Sequence, residues 1–203
     1  MNRNYTTFYI VRHGQVDWNA KGLVLGQKDH PLDESGKNQA KQLAKEIKDI
    51  KFDAIFSSDL LRAKETAEII ASERKIPVQV DKALREQTFG HFEGWKKNEF
   101  ISLFDKWNEM SDEERHNYTL SDDMESNASA VNRLINFLKQ TSNEYLGKTV
   151  LIVAHGALMR YLLIQLGHAS YDYLSHFENT GYIKLEIMED KIIVKDIKGF
   201  RKN

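Results

Sequence analysis

The chain has 203 residues and no cysteine, so disulfides, cysteine–zinc sites and thiol nucleophiles are excluded. A net charge of -1 leaves no global basic field to hold nucleic acid or an anionic membrane. With 41% hydrophobic residues, no stretch near the roughly 18 apolar residues of a membrane span and no signal-peptide core in Met1–Thr6, one cytoplasmic domain over residues 1–203 is expected.

In chain order, the apolar run Phe8-Tyr9-Ile10-Val11 predicts a strand over residues 7–11 that stops at Arg12-His13-Gly14. A polar loop follows through Pro31-Leu32. Ser35 is placed as the N-cap of a helix that keeps Ala40, Leu43, Ala44 and Ile47 at helical spacing as far as Ile50. Ala54-Ile55-Phe56-Ser57 reads as a second strand, and Asp59 as the cap of a helix striped by Leu60, Ala63, Ala67 and Ile70. Pro77-Val78-Gln79-Val80 starts a third strand. Residues 91–125 break the alternation and read as a helical insertion carrying Trp95, Phe100, Phe104 and Trp107, then acidic residues at 112–114 and 122–123. Ser126 begins a helix with Val131, Leu134, Ile135 and Leu138 inward. Val150-Leu151-Ile152-Val153-Ala154 is a strand ending at His155-Gly156, followed by a helix through Leu158, Tyr161, Leu162 and Gln165. Residues 181–188 and 191–197 alternate around Glu189-Asp190 and read as a hairpin. Strands alternating with helices predict a three-layer α/β/α sandwich with a mostly parallel, mixed sheet.

Two of these strands end in a histidine followed by glycine. In an open α/β sheet the ligand crevice lies at the carboxyl ends of the strands. If the strands are parallel neighbours, His13 and His155 meet there. Arg12 offers a planar fork of donors suited to phosphate or carboxylate oxygens. A neutral imidazole, with an ordinary pKa of about 6.5, is a competent nucleophile. Arg62 stands one turn into a helix whose start follows a strand, a place that attracts anions. Glu86 follows the third strand and is a candidate general acid. Taken singly, each has an ordinary reading: a solvated arginine, a satisfied core histidine, a surface glutamate.

Together these elements resemble the histidine phosphatase superfamily, also called phosphoglycerate mutase-like, over nearly the whole chain and in the family's motif order. Arg12, His13, Gly14 and Asn19 match the opening motif. Gly26, Asp29, Pro31 and Leu32 match the next segment, with Gly36, Gln39 and Ala40 after it. Ser58, Leu60, Arg62, Ala63, Thr66 and Ala67 match the helix motif, and Glu86 the catalytic acid, with Gly90 and Glu93-Gly94 beyond it. Glu125-Ser126 and Arg133, then His155-Gly156 and Arg160, then Asn179 complete the series. Two positions depart from the pattern. Val16 stands where the family commonly has threonine or serine and cannot donate a hydroxyl hydrogen bond to phosphate. Met124 replaces a frequent glycine and is expected to reshape the rim.

The resemblance implies that His13 attacks phosphorus and carries the phosphoryl group. Arg12, Arg62 and His155 surround its oxygens, Asn19 adds a neutral hydrogen bond, and Glu86 protonates the leaving oxygen and then helps activate water. A fixed positive pocket is the main device for such chemistry, and no metal or cofactor is implied. An acid-type histidine phosphatase acting on a small phosphorylated metabolite is favoured over a cofactor-dependent phosphoglycerate mutase. Ala157 follows the second His-Gly where mutases typically have asparagine, and the Thr88–Gly94 segment looks like the phosphatase branch. A non-catalytic binding or regulatory module ranks last, because no core catalytic residue is missing. The 91–125 insertion is expected to roof the pocket, with most of its aromatic residues packing. His30, His91, His116, His168 and His176 match no catalytic position and read as surface or packing residues. The sequence leaves the oligomeric state open between monomer and homodimer.

Overall fold

Burial on both faces is what the central strands ask for, and the computed structural model, which describes residues 3–104, 106, 109–171 and 175–201, provides it. Strand β1 (Thr6–Arg12) lies between β4 (Thr149–Ala154), to which it is parallel, and β5 (His176–Met188), to which it is antiparallel. The short strands β2 (Ala54–Ser57) and β3 (Val78–Val80) extend the parallel part beyond β4. The long β6 (Lys191–Arg201) closes the other side, giving the order β3-β2-β4-β1-β5-β6. In β1 and β4, alternate residues point to opposite faces. Phe8, Ile10, Val150 and Ile152 pack on one side against Leu134, Leu138, Leu158 and Leu162. Val11, Leu151 and Val153 pack on the other against Leu43, Ala63, Ala67 and Ile70. Helices α6 (Asn127–Glu144) and α7 (Gly156–Gln165) therefore cover one face, and α2 (Glu34–Glu46) and α3 (Leu61–Ala71) the other, while the one-turn α1 (Asp17–Ala20) lies between β1 and α2 in the chain. This is the expected α/β/α sandwich with a mixed sheet.

Two helix starts differ from expectation. Asp33, not Ser35, caps α2; its Oδ1 accepts from the Gly36 N–H at 2.7 Å, and Ser35 sits exposed inside the first turn. Asp59 does not cap α3, because both of its carboxylate oxygens are engaged by Arg85 at 2.7 Å. The Leu61 N–H is satisfied instead by Asp29 Oδ1 at 2.7 Å. Ser126 does cap α6, through the Ser129 N–H. The terminal hairpin is longer than the alternation suggested. The pairing shifts between Phe177 and Tyr182, where Thr180 has φ 61°, and this bulge hides the first part of β5 from a period-two pattern. Glu189 and Asp190, with φ 49° and 63°, make its two-residue turn.

The described residues of segment 91–125 include two short α-helices, α4 (Lys97–Ser102) and α5 (Asp112–Asn117), the latter opened by a Ser111–Glu114 capping box. Phe100 and Phe104 pack with Phe92, Met124, Val24 and Tyr171 in a small core of their own, while Trp95 is exposed. Trp107 lies outside the described residues. Met124, expected at the rim, is thus one of the residues on which this segment folds. No helix among the described residues is long and apolar enough to cross a membrane.

Candidate active site

The β1–β4 pairing sets Arg12 opposite Ala154, and the His13 N–H continues the ladder to the Ala154 carbonyl at 3.1 Å. His13 and His155 therefore leave the carboxyl ends of neighbouring parallel strands, with ring centroids 5.2 Å apart. The turn after His13 needs glycine for space: a Cβ on Gly14 would stand 2.5 Å from the Gly36 carbonyl oxygen at the start of α2. The Gly14 N–H is held by Thr66 Oγ1 at 3.0 Å, and Asn179 Nδ2 donates to the His13 carbonyl at 3.0 Å.

The His13 ring is held from both sides. Its Nδ1 lies 2.6 Å from the Gly14 carbonyl, which can only accept, so Nδ1 carries the proton. Its Nε2 lies 3.3 Å from Arg62 Nε, which can only donate, so Nε2 presents its lone pair. Burial, then the positive charges of Arg62 and Arg12, push the His13 pKa well below the usual histidine value. Burial, then Arg62 and His13, do the same to His155, whose two ring nitrogens are buried without a partner among the described residues. Arg62 is fully buried on the first turn of α3. Two of its other N–H groups hold the Lys28 and Gly26 carbonyls at 2.9 and 2.6 Å. Burial lowers its pKa to about 10, opposed by Glu86 and Asp29, so it stays charged at neutral pH. Arg12 donates one N–H to the Phe177 carbonyl, and its Nε is another buried polar atom without a partner among the described residues. Gly156 makes room for that guanidinium: a Cβ there would meet Arg12 Nε at 3.0 Å.

Glu86 comes from the far side, after the turn Lys82–Leu84, and meets the start of α7. Its Oε2 accepts from the Ala157 N–H at 3.0 Å; its Oε1 accepts from Leu158 and from Gln87, both at 3.0 Å. Behind it, Arg133 holds the Glu86 carbonyl at 3.0 Å and both oxygens of Glu125. Glu93 fastens two loops of the wall at once: its carboxylate accepts from the N–H groups of Gln27, Lys28 and Phe89 and from the Thr88 hydroxyl.

A cavity of about 250 Å³ opens over this floor. Arg12, His13, Asn19 and Glu86 line it directly, whereas Arg62 and His155 lie beneath its surface, against His13. Asn19 Oδ1 is a further buried polar atom without a partner among the described residues. The six residues singled out in the sequence thus converge. A family model for the histidine phosphatase superfamily (branch 1) matches residues 8–198.

The chain belongs to that superfamily.

The chain is similar over most of its length to proteins named as phosphatases and to proteins named as phosphoglycerate mutases. It is 31% identical to the uncharacterized phosphatase PhoE of Bacillus subtilis (strain 168), covering 94% of this chain and 93% of that protein. It is 33% identical to a 2,3-bisphosphoglycerate-dependent phosphoglycerate mutase of Xanthobacter autotrophicus, covering 85% and 86%. Its fold superimposes on Bacillus stearothermophilus YhfR with a TM-score of 0.82 at 28% identity, covering 96% of each chain.

The pocket also holds residues that the motif reading passed over. Lys97, on the first turn of α4, lines the cavity, and burial and Arg12 lower its pKa. No periodicity marks it in the sequence. His176, read as a surface or packing residue, is exposed and lines the cavity beside Phe177 at the start of β5, where it pairs with Arg201. Val16, missing the family hydroxyl, is fully buried against Leu25 and Leu32, so its side chain supports the loop wall. Among the described residues, no group of three or more histidine, aspartate or glutamate side chains could hold a metal ion.

Proposed function

We propose that this histidine phosphatase hydrolyses a small phosphomonoester through a phosphohistidine on His13. The observation that carries this reading is the His13 ring: a neutral imidazole whose Nδ1 proton is tied to the Gly14 carbonyl and whose Nε2 lone pair faces Arg62. In the first step, Arg62 Nε turns its N–H from Nε2 to a phosphate oxygen, the freed Nε2 lone pair attacks phosphorus, and the bond from phosphorus to the ester oxygen breaks. That oxygen leaves with the electron pair and takes a proton from Glu86. In the second step, the Glu86 carboxylate takes a proton from water, the water oxygen attacks phosphorus, and the P–N bond breaks to return Nε2 and release inorganic phosphate.

The neighbours suit these steps. Arg12 and Arg62 carry the positive charge that the equatorial oxygens need, in a site where burial strengthens it. A neutral His155 offers one ring N–H, and the Asn19 amide another donor. Oε1 of Glu86 already accepts two N–H groups and Oε2 one, so Oε2 is the oxygen left to carry the transferred proton. In this reading, segment 91–125 acts as the lid.

Mutase activity is the second reading, supported by the mutase relative. Ala157 in the second histidine motif and the Thr88–Gly94 segment favour hydrolysis. The test is to quench the enzyme during turnover of a nitrophenyl phosphate. Acid-labile, base-stable phosphate on His13 is expected, with no turnover in a folded His13→Ala variant. Near-normal turnover in that variant overturns the assignment. Isomerisation of phosphoglycerate faster than phosphate release would favour the mutase.

A further inference from the structure

Gln87 is fully buried directly behind Glu86, and its amide is held on every side. Its Nε2 donates to the Glu125 carbonyl at 2.5 Å and to Asn127 Oδ1 at 3.0 Å. Its Oε1 accepts from the Tyr161 hydroxyl at 2.8 Å. Burial raises the Tyr161 pKa, so the phenol keeps the proton it donates. A buried amide and phenol are costly unless satisfied, and an apolar pair would fill the same space without that demand. Neither residue belongs to a motif of the chemistry described above.

The geometry gives the pair a task. Tyr161 stands on α7, three residues beyond Leu158, so the two share a face of the helix. One end of α7 reaches Glu86 through the Ala157 and Leu158 N–H groups, while Tyr161 reaches Gln87. The Gln87 N–H in turn donates to Glu86 Oε1. The helix thus grips residues 86–87 at two points: its first N–H groups hold both carboxylate oxygens, and Tyr161, through Gln87, holds the stretch of chain from which the Glu86 side chain springs. We propose that Tyr161 and Gln87 are positioning residues that aim Glu86 Oε2 at the leaving oxygen. The proposal rests on the reading of Glu86 as the leaving-group acid.

The test compares an alkyl phosphate with nitrophenyl phosphate in Tyr161→Phe, Gln87→Met, the double variant and Glu86→Gln, with melting temperatures alongside. Tyr161→Phe should lower kcat for the alkyl ester by about tenfold while KM stays within about twofold. The nitrophenyl ester, whose leaving group needs no proton, should lose much less. Gln87→Met should move the ratio of the two rates in the same direction, and the double variant no further than the larger single one, because both remove one device. A merely structural role lowers the melting temperature and slows both esters equally, and that result overturns the proposal. Additive shifts in the ratio overturn it as well. If Glu86→Gln itself leaves the ratio unchanged, the acid reading falls and the positioning role falls with it. If only Glu86→Gln changes the ratio, the acid reading stands and the positioning role is wrong.

Discussion

Two neutral imidazoles beneath two guanidinium groups carry a consequence for pH. His13 and His155 have folded-state pKa values well below that of the unfolded chain, about 6.5. Below that value the unfolded chain takes up protons that the folded site refuses. Stability is therefore full above pH 6.5 and is lost as pH falls beneath it, at most about 1.4 kcal/mol per pH unit for each imidazole. Thermal unfolding should be flat above pH 7 and decline below 6.5, with a shallower decline in His155→Gln; equal slopes would show that His155 does not titrate this way. In the proposed reaction the same shift keeps His13 unprotonated, so kcat/KM for nitrophenyl phosphate should hold through pH 6.5 and fall only at lower pH. Glu86 calls for a different measurement. Glu86→Gln should cost about 10²–10⁴-fold with an alkyl phosphate and far less with nitrophenyl phosphate. Arg62→Ala should cost heavily with both, since its charge serves every phosphoryl group. Equal losses for both esters in Glu86→Gln would remove it from the acid role.

At the scale of elements, the helix caps separate what a sequence can and cannot declare. Asp33 caps α2 and also holds Gln15 Nε2 at 3.0 Å, while the exposed Ser35 does neither. Asp33→Ala should therefore cost about 1–2 kcal/mol in denaturant unfolding and Ser35→Ala almost nothing; the reverse order would refute the assignment. Both residues are good caps by type, and only the chain's path into the helix decides between them. Asp59 shows the same limit. Its attraction to Arg85 and the service of Asp29 to Leu61 are contacts between distant residues that no local pattern encodes. By contrast, the strands that carry His13 and His155 are buried on both faces and read as continuous apolar runs, so they were legible, as were the motif residues Arg12, Asn19, Arg62 and Glu86. Lys97, His176, Gln87 and Tyr161 were not, because their places depend on how the insertion, the start of β5 and α7 come together.

For the molecule as a whole, the positive charge in the site comes from Arg12 and Arg62, with the two histidines neutral, and no group of three metal-ligating side chains stands among the described residues. Exhaustive chelation should leave the rate with nitrophenyl phosphate unchanged. A loss restored by zinc, magnesium or manganese would refute the metal-free reading. The sheet order has a consequence of another kind. Strand β1 pairs at Thr7 with Thr149 on one side and Glu186 on the other, so both of its partners come from the last third of the chain. During synthesis, Phe8 and Ile10 must wait for most of the polypeptide before anything can cover them. Loop closure over such separations is slow, and an apolar strand left waiting is open to wrong pairing. The same long-range pairing that brings His13 to His155 should therefore make the candidate site one of the last features to form, and leave the newborn chain open to aggregation until the terminal hairpin arrives.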